Sequence, residues 1–207
     1  TLIAILLNSL FWMVGIHGGN VVNSILKPIW LMNSDANRLV FQADPTAQLP
    51  HIITEPFIDN FVYMGGGGAT IGLVIVIAII ARRKRASQLT KAMVPLTLTP
   101  GIFNINEPAM FGLPIVMNFS LLIPFVLAPM ANAIISYSAM ASGLVATTTG
   151  IAVSWTMPPI LSGFLTTGGS ISGAILQIVC IVVDVAIYWF FYQAVEKRNL
   201  ELEAVSV

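Results

Sequence analysis

Apolar runs dominate this chain, and they fall into two kinds. A spanning helix needs about 20 predominantly apolar residues. Residues 1–16, TLIAILLNSLFWMVGI, fit such a helix cut short at its start, and residues 65–81, GGGGATIGLVIVIAIIA, fit a second that stops at Arg82. Residues 119–141 form a third, with Pro124 and Pro129 inside it. Residues 171–195 form the longest, interrupted only by Asp184.

The other apolar stretches do not read as simple spans. HIITEPFIDNFVYM at 51–64 is short and polar, residues 94–118 hold Pro95, Pro100, Gly101, Pro108, Gly112 and Pro114, and residues 142–170 set Pro158 and Pro159 among glycines. Proline removes a backbone donor and glycine weakens a helix. Broken backbone at membrane depth survives only when buried in protein or lining a wet cavity, and such interrupted segments point to a transporter's binding site. The pattern predicts an all-α polytopic membrane protein with re-entrant hairpins and broken helices, forming one membrane domain over 1–207. Its expected parts are a helix at 1–23, an outer segment at 24–50, a re-entrant element at 51–66, a helix at 67–82 and a cytoplasmic loop at 82–93. A second re-entrant element at 94–118, a helix at 119–141, a broken segment at 142–170, a helix at 171–195 and a cytoplasmic tail at 196–207 complete it.

Composition strengthens the membrane reading. The chain is 57% hydrophobic and only 9% charged, against about 25% charged in an ordinary soluble domain. Nine basic and nine acidic residues cancel, so no global field draws in nucleic acid. The cluster Arg82 to Arg85 with Lys91, and Lys197 with Arg198, place those segments in the cytoplasm. Cys180 has no second thiol, and two histidines without a tight ligand spacing argue against a metal site. No cofactor is expected. The chain opens inside an apolar stretch with Thr1 rather than Met, which suggests a piece of a longer protein.

The candidate chemistry centres on Glu107. It is the only charge between Lys91 and Asp184, and an ionised carboxylate at a bilayer centre costs about 2.5 to 3.5 kcal/mol on insertion scales, judged from aspartate. It should therefore face a partner or a watery pocket. A carboxylate accepts several sugar hydroxyls in charge-assisted bonds and can serve as general base toward a hydroxyl about to be phosphorylated. Asn104 and Asn106 add donor and acceptor pairs. His17, in GIHGGN, is either a structural residue or a ligand contact, with glycines that permit close approach. His51 is a weaker candidate. Trp12 and Trp155 are either interfacial belt residues or apolar faces for a pyranose ring, while Trp30 fits the belt. Asp184 suits a polar contact between helices. The GGGG run at 65–68 lacks the lysine and hydroxyl of a phosphate loop and suits a helix start or a close backbone approach.

Three stretches together resemble the C-terminal half of enzyme IIC from the lactose, cellobiose and diacetylchitobiose family of the phosphotransferase system. These are NINEPAMFGLPIVMN at 104–118, FWMVGIHGGNVV at 11–22 and, more weakly, SWTMPPILSGF at 154–164. The resemblance implies an elevator-type transport domain in the bacterial inner membrane. It implies sugar contacts at Trp12, His17, Gly18, Asn106, Glu107 and Trp155, with Glu107 catalytic. The implied substrate is a β-linked disaccharide (cellobiose, diacetylchitobiose or lactose). The phosphoryl group would come from IIB, supplied by IIA and HPr, so transferase activity would need those partners. An N-terminal half of about equal length, carrying the scaffold and a homodimer contact, is also implied. The competing expectation is an ion-coupled secondary transporter that uses Glu107 and Asp184.

Overall fold

The computed structural model describes residues 1–113, 115 and 119–205, and among these every regular element is helical. Pro114 and residues 116–118, at the end of the expected element 94–118, lie outside the described residues, as do Ser206 and Val207 of the expected tail.

The first 43 residues differ from expectation. In place of a helix at 1–23 and an outer segment at 24–50, the chain forms α1 (Leu2–Met13) and α2 (Gly18–Ala43). The break comes from Gly15, at φ +80°, a conformation that glycine adopts without the steric cost of a Cβ. Beyond it α2 runs 26 residues, through Pro28, or about 39 Å. Its polar residues, which resemble a loop in sequence, lie on a helix face.

Thr54 caps α3 (Glu55–Phe57) by accepting the Phe57 N–H, and α3 runs straight into a π-helical turn, Ile58–Val62. Phe57, Ile58, Phe61 and Val62 are buried there. A glycine loop follows, with Gly65, Gly66, Gly68 and Ala69 all at positive φ. Left-handed residues cannot continue a right-handed helix, so the helix expected at 67–82 starts only at Ile71. This α4 (Ile71–Ala81) has 11 residues, about 16 Å, and is buried between α5 and α9.

The helix α5 (Gln88–Ile102) begins within the expected loop 82–93, because the Ser87 side chain accepts the Thr90 N–H as its N-cap. Pro95 and Pro100 sit inside it without ending it. Six residues, Glu107–Gly112, form α6, and α7 spans Phe119–Ala141. After an irregular stretch, α8 (Leu161–Thr166) leads into α9 (Ile171–Val205).

At 35 residues, or about 52 Å, α9 continues through the expected tail. Its end is anchored. Glu196 accepts from Ser87 N–H (2.7 Å) and Ser87 Oγ (2.8 Å), and Glu203 accepts from Gln88 N–H (2.7 Å). Two carboxylates thus meet the unpaired donors and positive dipole end of α5.

Helices α7 and α9 pack on each other, α9 also covers α4, and α1 packs on α2 and α7. The helices α7 and α9 are long and apolar enough to cross a membrane. Along α9, Ile171, Ile175, Ile178 and Val182 leave an exposed apolar stripe that only lipid or protein can cover favourably.

Candidate functional site

Two helix breaks of the same design shape the main polar cavity. At the end of α1, Ile16 N–H donates to the Phe11 carbonyl (3.0 Å) and Gly15 N–H to the Trp12 carbonyl (3.1 Å). These are the paired bonds of a Schellman cap. Two residues beyond its left-handed residue stands His17, the N-cap of α2. At the end of α5, Ile105 N–H donates to the Pro100 carbonyl (3.0 Å) and Asn104 N–H to the Gly101 carbonyl (3.2 Å), with Asn104 at φ +62°. Two residues beyond stands Asn106, the N-cap of α6, and Glu107 is its first helical residue. Each break ends one helix and starts another with four residues between them.

Asn104 also ties the second break to the rest of the molecule. Its Oδ1 accepts from Gly65 N–H (2.7 Å), and its Nδ2 donates to the carbonyls of Trp155 (2.6 Å) and Met157 (3.0 Å). Asn106 Nδ2 donates to the Gly67 carbonyl (2.8 Å). The glycine loop must therefore lie close. A Cβ at Gly66 would sit 2.8 Å from Asn106 Cγ, and one at Gly68 would sit 2.1 Å from the Phe125 ring. The tetraglycine run is thus a close-approach device beside the site.

The open cavity there has a volume of about 430 Å³ and is lined by Trp12, His17, Asn106, Glu107 and Trp155, among others. Five of the six residues implied by the resemblance share this wall. The sixth, Gly18, does not. It is buried with its Cα against α1, where an added Cβ would lie 2.0 Å from the Asn8 carbonyl oxygen, so its lack of a side chain lets α2 approach α1.

Trp12 is 5% exposed and its ring centroid lies 4.5 Å from that of His17 at a 52° tilt. Trp155 is 56% exposed and lines the same cavity. His17 Nδ1 accepts the Asn20 N–H at 3.2 Å. A ring nitrogen that accepts carries no proton, so the neutral imidazole holds its proton on Nε2, free to donate to a ligand. The Glu107 side chain has no hydrogen-bond or ion-pair partner among the described residues. An acceptor-only carboxylate beside a free N–H donor and two indoles suits a neutral polyol better than an ion.

Other candidates fall elsewhere. Asp184 is fully buried, and Asn132 Nδ2 donates to it at 3.0 Å. It joins α9 to α7 and does not line the cavity, so it acts as a contact between helices. The His51 backbone is held by the Asn37 side chain, away from the cavity. Trp30, expected at an interface, is 7% exposed and forms part of the cavity wall. A larger cavity of about 490 Å³ beside Phe41, Gln48, Met140 and Thr147 has no charged lining residue.

Sequence reasoning missed several wall residues, notably Asn20, Asn23, Lys27, Glu55 and Asp59. Two signals were present. Glu55-Pro56 follows Thr54 as Glu107-Pro108 follows Asn106, each placing a carboxylate at a helix start. Asn20, Asn23 and Lys27 follow helical spacing.

Known proteins resemble this chain in sequence and fold. The chain is 46% identical over 203 residues to the lichenan permease IIC component of Bacillus subtilis, covering 98% of this chain and 44% of that protein. It is 48% identical over 198 residues to the cellobiose-specific EIIC component of Geobacillus stearothermophilus, covering 96% and 43%. The crystal structure of ChbC, the IIC component of the N,N'-diacetylchitobiose-specific phosphotransferase system, superposes with a TM-score of 0.93 at 45% identity, over 98% of this chain and 46% of that one. The chain spans less than half the length of these relatives. Residues 1–129, more than half of the chain, match the family described as phosphotransferase system, EIIC, and the chain therefore belongs to that family of multi-pass permease components of the bacterial inner membrane.

Proposed function

We propose that this chain is the sugar-handling part of a permease that binds a β-linked disaccharide and carries it across the inner membrane for phosphorylation. The observation that carries this reading is a carboxylate, Glu107, with no partner among the described residues, held by a helix break in a cavity walled by Trp12, His17, Asn106 and Trp155. The names of its relatives support the substrate class, since they refer to lichenan, cellobiose and diacetylchitobiose.

In this mechanism the indoles pack against the sugar and His17 Nε2 donates to a hydroxyl. Glu107 accepts the proton of the hydroxyl that attacks phosphorus. The phosphoryl group comes from a IIB partner charged by IIA and HPr, so this chain supplies binding, orientation and the base. The basic loop Arg82 to Arg85 faces the cytoplasm, where IIB acts. The cavity moves with its helices as one body against a scaffold that the relatives' additional length would supply, and the complete protein is a homodimer.

The test is Glu107→Gln in the full-length protein, reconstituted with IIB and IIA. Loss of a general base lowers the rate of sugar phosphorylation by about 100-fold or more. A wild-type rate would overturn the assignment. Arrival of unphosphorylated sugar, abolished by collapse of the proton gradient, would instead identify an ion-coupled carrier.

A further inference from the structure

The cavity wall extends well beyond the Glu107 end. A Cβ at Gly67 would lie 3.3 Å from Trp12 Nε1 and 3.6 Å from Asn106 Nδ2, and Trp12 packs against His17, so Trp12, His17 and Asn106, with its neighbour Glu107, gather at the N-terminus of α2. Lys27 lies ten residues further along that helix, about 15 Å at 1.5 Å per residue, and also lines the cavity. A single pyranose ring does not bridge that distance. Between them Asn20 and Asn23 face the same space, and spacings of three and four put them on one face with Lys27. At the far end Lys27 Nζ meets Glu55 Oε1 at 2.6 Å, and Asp59 stands beside the pair.

This pair does little for stability. The Lys27 and Glu55 side chains are 48% and 24% exposed, and ion pairs open to water contribute about 0 to 1 kcal/mol. Its composition suits a ligand instead. An ammonium has three donors and a carboxylate several acceptor positions, so after pairing each keeps capacity for hydroxyl partners. The side-chain amides of Asn20 and Asn23 have no partners among the described residues, and they continue the same surface toward His17.

We infer that the Lys27–Glu55 pair, with Asn23, forms the subsite that reads the second ring of the disaccharide and so sets selectivity. The inference rests on the disaccharide reading above. One ring lies at Trp12, His17 and Glu107, where the chemistry occurs, and the other lies along α2 against the ion pair. Sites built to hydrogen-bond a hydroxyl discriminate strongly against ligands that lack it.

The test measures binding of cellobiose and of methyl β-glucoside, which has one ring only, to the full-length protein by competition. Glu55→Gln weakens cellobiose by about tenfold, the loss expected for one charge-assisted hydrogen bond, and leaves methyl β-glucoside unchanged. Glu107→Gln weakens both. Equal losses for both sugars in Glu55→Gln would mean that the pair only holds α2 to α3, and no loss for either would remove the subsite; both overturn the inference while the Glu107 result still stands. If the wild-type protein binds neither sugar, the disaccharide reading itself fails and this inference with it. Should Glu55→Gln not fold, Asn23→Ala, which leaves the ion pair intact, gives the same decision with a smaller loss for cellobiose only.

Discussion

The breaks after α1 and α5 share a backbone design and differ in how they are held. At Gly15 the turn is self-contained: its bonds go back to its own helix, and apart from its chain neighbours no atom of the described residues lies within 4 Å of a Cβ placed there. At Asn104 the turn is buried at 6% exposure, and one amide joins the glycine loop and the Trp155 segment. The same local geometry therefore carries His17 on a loosely tied support and Glu107 on a stitched one. On the function proposed above, Glu107 must take a proton at a defined atom and gains most from a fixed support, whereas His17, as a hydrogen-bond donor to a sugar, tolerates adjustment.

Substitutions at the two breaks can dismantle or sharpen this contrast. The largest effect belongs to Asn104→Ala, which loses three tertiary hydrogen bonds and places a Cβ-bearing residue without amide compensation at positive φ. It should lower stability by about 3 kcal/mol, measured as denaturant unfolding of the full-length protein in detergent. Asn104→Gly should cost about 1 kcal/mol less, because only the backbone strain is relieved. Equal losses would show that the backbone conformation is not part of the cost.

Next comes His17→Asn. Asparagine is a good N-cap, so stability should hold, while loss of the Nε2 donor weakens disaccharide binding about tenfold. Unchanged affinity would make His17 a cap and nothing more. The smallest effect is that of Gly15→Ala, about 1 kcal/mol of backbone strain with no clash. A loss as large as that of Asn104→Ala would erase the difference between the two breaks.

What could be read in the sequence followed from local chemistry. The all-helical membrane class follows from apolar runs and scarce charge. Glu107 stands out because no other charge lies near it and Pro108 and Gly112 flank it. His17 stands out among glycines, and those glycines have distinct roles: Gly15 turns the chain and Gly18 lets α2 approach Asn8. What stayed hidden depends on distant pairing. Lys27 and Glu55 are ordinary polar residues until α2 brings them to 2.6 Å. The helix α2 itself was obscured by Pro28 and by a polar stripe that faces a cavity rather than water. The extent of α9 was hidden because Glu196 and Glu203 look like tail residues until they cap α5.

The most direct test is a structure of the full-length protein with cellobiose bound. This account predicts a sugar hydroxyl within about 3.2 Å of a Glu107 carboxylate oxygen, one ring beside Trp12 and Trp155, and the other along α2 toward Lys27. Sugar seated in the uncharged cavity beside Phe41 and Met140, or Glu107 turned away onto a protein cation, would contradict it.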